Sequence, residues 1–523
     1  MRGGRVIPAA YDDRQLDEPD DEIDWPADAL DAEAIGELVQ RMYALHLAER
    51  DSFDNIHAFT KGERGVPSVP DEASDEVKEL AKLSIKNVLR LICNSFAQSL
   101  SVVGYRSLTA PENDPAWRIW QANKMDARQA EVHRPAVKYG ASYAVVTPGV
   151  DGRKPEIRCR SPRQLIAVYD DAVLDDWPQY ALETWVTTKD AKPRRKGVLY
   201  DERYMYQLDL GELPLTSTGR PEVATKPVTL RDVEDIIPHY GTEDGKPVCP
   251  VVRFVNDRDA DDMIVGEVEP HIGMQKAINC VNFDRLIVSR FGANPQRVIS
   301  GWTGSKNEVL KASALRVWTF DDPDVKAQAF PPASVEPYNA VLDEMVQHVV
   351  MEAQINPSQV KLVNISADAL AAAEHREQLK LATKRESFGE SWEQVLRLAV
   401  EMDSDETTTP DLTAEVIWRD TEARSFGAVV DGIVKLSQAG VPIEYLLPLV
   451  PGMTQQLIQA IKEAMRSGGT QALVDKLLAA PELSLPDAPP IDQALASADD
   501  DEGGEGDGAE SGTGVSGGAR PSQ

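Results

Sequence analysis

Two short runs of aspartate are the residues of this sequence best suited to chemistry. The first places Asp170-Asp171 and Asp175-Asp176 between two strand-like segments. Paired carboxylates hold metal ions in many enzymes, so a metal-dependent enzyme is one hypothesis for this chain. A hairpin turn between Tyr169 and Tyr180 accounts for the same four residues without any metal.

The second run, Asp257-Arg-Asp-Ala-Asp261, begins like the calcium-binding loop of an EF-hand. That loop needs glycine at its sixth position and a bidentate glutamate at its twelfth. This sequence has Asp262 and Val268 there. A solvated acidic turn therefore fits the run better than a calcium site, and cation binding stays open at this point.

Other motifs for catalysis or nucleotide binding fail at diagnostic positions. The run Gly241–Lys246 is one residue shorter than a phosphate-binding loop, and Pro247 stands where a serine or threonine would bind Mg²⁺. The seven histidines show no H-x-x-x-H or H-E-x-x-H spacing. We therefore expect no enzyme activity, no cofactor and no metal, and the sequence suits a scaffold better.

The charge balance argues against tight binding of nucleic acid. The chain of 523 residues carries 86 acidic and 55 basic side chains, a formal net charge of −31. Affinity for nucleic acid comes largely from Lys and Arg side chains that displace counterions from phosphates. Any DNA that this protein meets should therefore be held loosely.

Hydropathy predicts neither export nor membrane insertion. Residues Met1 to Asp20 lack the apolar core of a signal peptide. No run approaches the ~18 apolar residues that are needed to cross a bilayer. We expect a protein that is made in a cytoplasm and has no membrane partner.

The elements that must position these residues begin with an α+β region. Helical spacing occurs from Ile35 to Leu45, in one helix from Asp75 to about Leu100, and from Trp117 to Lys138. Short strand-like runs follow, separated by Gly, Pro and Asp turns. These runs are Ala141–Thr147, Glu156–Arg160, Leu165–Tyr169, Tyr180–Val186, Val198–Tyr200 and Val251–Val255.

The stretch from Pro270 to Met402 has the most distinctive order of elements. Pro270 and Gly292 bracket one helix, and a strand-rich insert follows it. A second helix has Pro337 in its first turn and ends at Asn356-Pro357. A third helix runs without proline from Ser366 to Met402 and would span roughly 55 Å. So long a helix suits a protein that lines or spans something.

Charged residues along this third helix are spaced for ion pairs on its surface. Glu377 precedes Lys380 by three residues, and Glu393 precedes Arg397 by four. Such pairs stabilise a helix only slightly.

In order and spacing, the chain resembles the portal (head-to-tail connector) proteins of tailed bacteriophages, of the siphophage type. The passages that carry the resemblance are Trp120-Gln-Ala-Asn123, Lys138-Tyr-Gly-Ala-Ser-Tyr143, Pro250-Val-Val-Arg-Phe254, Ala293-Asn-Pro-Gln-Arg297, Ile365-Ser-Ala-Asp-Ala-Leu370 and Phe388-Gly389 with Trp392. The resemblance extends over residues 35 to 470, and its weight lies in the order of the passages.

The resemblance implies a portal fold with a wing, a two-helix stem, a small β-containing clip, a long helix and a helical crown. The implied segments are an acidic arm (1–30), the wing (31–265), the first stem helix (266–292), the clip (293–332), the second stem helix (333–355), the tunnel loop (356–365), the long helix (366–403), a wing strand with the crown helices (404–480) and a disordered acidic tail (481–523).

The resemblance also implies a function. Typically about twelve copies would form a ring at one capsid vertex of the virion, assembled in the host cytoplasm, with a channel for packaging and ejecting double-stranded DNA. The tunnel loop would face the DNA through Gln359, Lys361 and Asn364, and Lys361 is the one charged residue between Asn356 and Ile365. A solvated lysine with no DNA contact is the alternative.

Partners follow from the same resemblance. The clip would dock the terminase large subunit first and a head-completion adaptor later. Its basic residues Arg297, Lys306, Lys311 and Arg316 are candidate contacts, or simply solvated charges. Major capsid and scaffolding proteins would be further partners. A non-conducting minor head structural protein is the nearest alternative function.

Overall fold

The computed structural model describes residues 25–106, 115–149, 153–188, 192–215, 228–261, 263–292, 297–300, 326–329, 334–357, 367–403, 411–419, 421, 426–447, 450, 453 and 455–466. The chain divides into two compact units, residues 1–455 and 456–523. Helix α12 (Gln455–Arg466) lies mostly in the second unit, and every other element below belongs to the first.

Helices and antiparallel strands both build the first unit, so the predicted α+β class is confirmed. Helix α1 starts where the Asp31 carboxylate accepts the Ala34 N–H at 2.8 Å, and it ends at Gly62, whose φ of 74° favours glycine. The amino-terminal helices are α1 (Ala32–Lys61), α2 (Asp75–Leu83), α3 (Leu89–Ser99), α4 (Pro115–Ala122), α5 (Met125–Arg128) and α6 (Ala130–Tyr139).

The prediction of one helix from Asp75 to about Leu100 is wrong. The chain leaves the helical path at residues 84–88, which separate α2 from α3. The Ser84 hydroxyl donates to the Ala81 carbonyl oxygen at 2.7 Å and helps to end α2. Apolar periodicity continues across the break, so the sequence pattern does not reveal it.

The break is stabilised by a row of amide side chains on a later helix, α7 (Ile272–Gly292). Gln275, Asn279 and Asn282 lie on one face of α7 and are all buried. The Gln275 carbonyl oxygen accepts the Val88 N–H at 2.9 Å. Asn279 Oδ1 accepts the Lys86 N–H at 3.1 Å, and Asn282 Nδ2 donates to the Ser84 carbonyl oxygen at 2.6 Å. Tertiary hydrogen bonds thus replace the helical ones.

The helix predicted from Trp117 to Lys138 is also interrupted, into α4, α5 and α6. Lys124 between α4 and α5 has a positive φ of 54°. Gln129, between α5 and α6, accepts the Val102 N–H at 2.7 Å and donates to the Val102 carbonyl oxygen at 3.1 Å. The side chain of Gln129 therefore links this helical region to strand β1.

All six strand-like runs predicted from the sequence fall on strands. The strands are β1 (Val102–Arg106), β2 (Ala141–Thr147), β3 (Glu156–Arg160), β4 (Leu165–Val168), β5 (Tyr180–Thr187), β6 (Arg194–Tyr200), β7 (Tyr204–Glu212), β8 (Asp232–Pro238), β9 (Thr242–Glu243), β10 (Lys246–Pro247) and β11 (Val251–Val255). The sequence pattern missed β1, β7, β8 and the two-residue strands β9 and β10.

The strands pair in antiparallel sheets. One sheet has the order β4-β5-β6-β7-β8, and a second has the order β11-β2-β3. Strand β1 pairs with β14 (Glu415–Trp418), with Tyr105 opposite Val416. The second sheet is buried on both faces. Ala144 and Val146 on one face share a core with α6 and α9, and Tyr143 and Val145 on the other face pack against the five-stranded sheet.

The carboxy-terminal half supplies the remaining elements. They are the hairpin β12 (Arg297–Ser300) with β13 (Lys326–Ala329), and the helices α8 (Glu336–Glu352), α9 (Ala367–Glu401), α10 (Phe426–Gln438) and α11 (Ile443–Leu446). The long helix predicted from Ser366 to Met402 is confirmed as α9, whose 35 residues span about 52 Å.

The largest apolar core surrounds the second half of α9. Trp392 lies edge-on to Trp120 at a ring-centroid distance of 4.9 Å and to Phe254 at 4.8 Å. Phe388, one turn earlier, is also fully buried. Buried aromatic side chains contribute several kcal/mol each, so this half of α9 is firmly held.

Candidate functional site

Most residues of the two predicted sites lie outside the described ranges. Gln359, Lys361 and Asn364 fall in residues 358–366, between α8 and α9. Lys306, Lys311 and Arg316 fall between β12 and β13. Arg297 is the first residue of β12, and its side chain is likewise not described. The structure therefore defines the elements that flank each candidate segment.

Helix α8 leads directly into the candidate channel loop. Gln354 follows the helix with a positive φ of 58°. The Ile355 N–H donates to the Val350 carbonyl oxygen at 3.0 Å, and the Ile355 side chain is buried in the main core. The chain is thus held in place as far as Ile355, the residue directly before the loop at 356–365.

A buried ionic cluster joins the end of α8 to α9. Lys380 Nζ donates to Glu267 Oε2 at 2.6 Å and to the Ala353 carbonyl oxygen at 3.2 Å. Lys384 Nζ, one helical turn later, donates to Glu267 Oε1 at 2.6 Å and to Asn256 Oδ1 at 2.7 Å. We call Glu267, Lys380 and Lys384 the lysine clamp.

Charge explains why this cluster persists in the interior. Burial alone would raise the pKa of Glu267, but the two ammonium groups outweigh it and hold the pKa below its usual range. Burial lowers the pKa of Lys384, and its attraction to Glu267 offsets only part of that effect. The Glu267 carboxyl is ionised at neutral pH, because its pKa lies below the usual carboxyl range.

A second contact ties α8 to the segment that precedes α7. His271 Nδ1 lies 3.4 Å from Glu352 Oε2 in the last turn of α8. Burial lowers the pKa of His271, and the Glu352 carboxylate offsets part of the shift. The imidazole is therefore mostly neutral at pH 7, and this contact is weaker than the lysine clamp.

The first part of α9 extends beyond the clamp. Ala372, His375 and Arg376 are exposed, whereas Glu377 is buried and accepts a hydrogen bond from Ser95 Oγ at 3.0 Å. The 14 residues from Ala367 to Lys380 correspond to about 20 Å of helix. This helical segment leads from the candidate loop to the core.

Beyond the clamp, α9 is fixed by a hydrogen bond between two aromatic side chains. Trp392 Nε1 donates to His133 Nε2 at 2.8 Å, and His133 stacks on Phe388 at a centroid distance of 5.5 Å. Burial lowers the pKa of His133 to about 3, so the ring is neutral and Nε2 can accept.

In both acidic runs, a carboxylate accepts a hydrogen bond from a backbone N–H group of its own turn. Asp171 Oδ1 accepts the Val173 N–H at 2.9 Å, and Asp259 Oδ1 accepts the Met263 N–H at the same distance. Within the described residues, no three His, Cys, Asp or Glu side chains lie close enough together to hold a metal ion. Nor does any helix in those ranges have the length and apolar character to cross a membrane.

Sequence reasoning missed the clamp and misassigned one of its members. It paired Lys380 with Glu377 on the surface of α9, whereas Lys380 bonds to Glu267 and Glu377 bonds to Ser95. The available signal was the spacing of Lys380 and Lys384, which places two lysines on one helix face. The partner Glu267 is 113 residues away from Lys380, so no local pattern identifies it.

Comparison with known proteins gives the family. The sequence model of the family described as "Phage portal protein, SPP1 Gp6-like" matches residues 65–468. The chain belongs to this phage portal protein family. The matched region contains the hairpin, α7, α8, α9 and all three residues of the lysine clamp.

Two curated portal proteins are similar to the chain. The portal protein of Mycobacterium phage D29 is 25% identical over 363 residues, covering 66% of this chain and 71% of the relative. The portal protein of Mycobacterium phage L5 is 24% identical over 373 residues, with the same two shares. The portal assignment made from the order of sequence passages is therefore confirmed.

Proposed function

We propose that copies of this chain, about twelve, form a ring at one capsid vertex and conduct double-stranded DNA through its centre. The observation that carries the proposal is the order of α7, hairpin, α8, loop and α9 in a portal-family chain, with the end of α8 tied to α9 by the lysine clamp. The clamp supports a fixed spacing between the two helices that flank the loop.

In this proposal the segments carry the roles that the resemblance implied. Helices α7 and α8 form the stem, which is supported by their packing and by the Arg285–Asn339 hydrogen bond of 3.3 Å. The β12–β13 hairpin belongs to the clip at 293–332. Residues 356–365 form the tunnel loop, and α9 is the strut from that loop to the wing.

Electrostatics favours a channel that does not retain DNA. A net charge of −31 disfavours tight phosphate binding, because acidic side chains outnumber the Lys and Arg side chains that could replace counterions. Lys361 would supply transient phosphate contacts, while Gln359 and Asn364 offer neutral hydrogen-bonding groups. The chain acts as conduit and docking site, and the motor activity belongs to the terminase.

Docking is assigned to the clip. Arg297, Lys306, Lys311 and Arg316 would contact the terminase large subunit during packaging and the head-completion adaptor afterwards. Capsid and scaffolding proteins would contact the outer part of the ring. The virion vertex is therefore the proposed location, with assembly in the host cytoplasm.

A packaging assay tests the channel role. Residues 358–365 are replaced by a short Gly-Ser linker, and Lys361→Ala is compared with Lys246→Ala in the exposed β10 turn. We expect the loop replacement to abolish DNA packaging while the purified rings stay intact, and Lys361→Ala to slow packaging more than the control. Normal packaging by the loop-replaced ring would point to a non-conducting head component instead.

A further inference from the structure

The two acidic runs of the sequence meet on one face of the protein. One lies in the turn at 170–176 between β4 and β5, and the other in the loop at 256–264 after β11. The Ala172 carbonyl oxygen accepts hydrogen bonds from Arg253 Nη2 and Arg258 Nη1, both at 2.7 Å. Two segments that are distant in sequence are thereby joined, and we call them the two-loop surface.

Three large apolar side chains stand on this surface. Leu174 is 79% exposed, Met263 is 62% exposed and Val173 is 37% exposed. A single exposed apolar residue is ordinary in a soluble protein. Three of them on two joined loops form a patch, and such patches mark sites of interaction with other molecules.

The backbone beneath this patch is ordered by hydrogen bonds. The Asp171 carboxylate accepts the N–H groups of Val173 at 2.9 Å and Leu174 at 3.2 Å. Asp259 does the same for Met263 at 2.9 Å. Each exposed side chain is therefore presented from a fixed turn, which lowers the entropy that a partner must remove on binding.

The same two loops are rich in carboxylates. The two loops carry Asp170, Asp171, Asp175, Asp176, Asp257, Asp259 and Asp261. Their cations are Arg253 and Arg258, and both guanidinium groups bond to the Ala172 carbonyl oxygen rather than standing free. The patch thus combines apolar contact area with a strongly negative rim.

We propose that the two-loop surface binds a segment of a partner protein that carries both Lys or Arg side chains and large apolar ones. Charge complementarity selects this chemistry, since a basic segment gains from the negative rim and an acidic one is repelled. The inference goes beyond the proposed function and does not depend on the DNA channel.

A second copy of the chain is the alternative occupant of this surface. A net charge of −31 does not prevent the contacts between copies that the proposed ring requires, but a copy would have to present basic side chains here. Many basic side chains near the sheets already pair within the chain, among them Arg194 with Asp209, Lys196 with Glu234 and Arg160 with Glu183. A different protein with a basic segment is the better match.

Peptide binding to the full-length protein tests the proposal. The probe is an 18-residue helical peptide with one face of Leu and the other of Lys, measured by fluorescence anisotropy. We expect Leu174→Ser with Met263→Ser to weaken its binding about tenfold or more. The matched control is Leu412→Ser, which removes a side chain that is 66% exposed elsewhere on the protein. This control should bind like the wild type.

Charge is tested separately with Asp170→Asn combined with Asp176→Asn, which should also weaken binding and reduce its dependence on salt. No binding by the wild type, or equal losses in the Leu412→Ser control, would overturn the proposal. So would a change in oligomeric state of the Leu174→Ser, Met263→Ser variant in sedimentation, because the surface would then be a contact between copies. Circular dichroism checks that each variant is folded.

Discussion

The lysine clamp makes a sharp prediction for Glu267→Gln. The substitution keeps the size of the side chain but leaves the buried ammonium of Lys384 without a counter-charge. Removing one partner of a buried ion pair costs about 3–5 kcal/mol. Asn256 still accepts from Lys384 at 2.7 Å, and the Ala353 carbonyl oxygen still accepts from Lys380 at 3.2 Å. We therefore expect a loss near the lower limit, about 3 kcal/mol.

The pH dependence of this loss has a defined sign. The pKa of Glu267 is lowered by folding, so its stabilisation is present above the unfolded carboxyl pKa and is lost as the pH falls through the folded value. The pKa of Lys384 is lowered by burial and falls further without Glu267. The variant can then release the lysine proton as the pH rises. The difference from wild type should be largest near neutral pH and shrink in acid and in alkali.

Urea unfolding at fixed protein concentration, followed by the fluorescence of buried Trp120 and Trp392, measures this difference. The matched control is Glu79→Gln, which breaks the ion pair with Lys82 on α2, where both side chains are 64% exposed. It should change the unfolding free energy by no more than about 0.5 kcal/mol. If Glu267→Gln is as mild as this control, the clamp does not contribute to stability as described.

Three further predictions concern residues of the first unit. Gly140→Ala should destabilise the protein by more than about 1 kcal/mol in a thermal melt, since φ is 99° and a Cβ would lie 2.8 Å from a side-chain carbon of Ile264. The control Gly273→Ala, where a Cβ meets open space, should be neutral or mildly stabilising. In the wild type, the unfolded chain binds a proton at His133 below about pH 6.5, whereas the folded chain, where the pKa of His133 is lowered to about 3, does not, so stability falls as the pH falls between these values. His133→Gln should make this fall less steep, and an unchanged dependence of the urea midpoint on pH would contradict the reasoning. Gln275→Ala should lower the free energy of unfolding in urea by about 1–3 kcal/mol, because it leaves the Val88 and Leu89 N–H groups without their acceptor. Hydrogen exchange at these two amides should become faster.

Local sequence pattern was sufficient for segments whose own residue types favour one kind of element. The run Ala141–Thr147 has the bounds of β2, and the proline-free stretch after Ser366 is α9. Strand β8 was missed because Asp232, Glu234 and Asp235 face outward on an edge strand and leave few apolar positions.

Contacts between residues that are far apart in the sequence could not be predicted from the sequence pattern. The break between α2 and α3 depends on Gln275 and Asn279, which are almost two hundred residues away. The clamp depends in the same way on Glu267. Apolar periodicity carries no record of such partners, because it reports which face is buried and not what lies against it.

The measurement that tests the central claim most directly is electron microscopy of the purified, assembled protein. The account predicts closed rings with an axial hole wide enough for a DNA duplex, with the loop between α8 and α9 lining that hole. Particles that stay monomeric under all assembly conditions, or rings in which this loop lies on the outer surface, would contradict it.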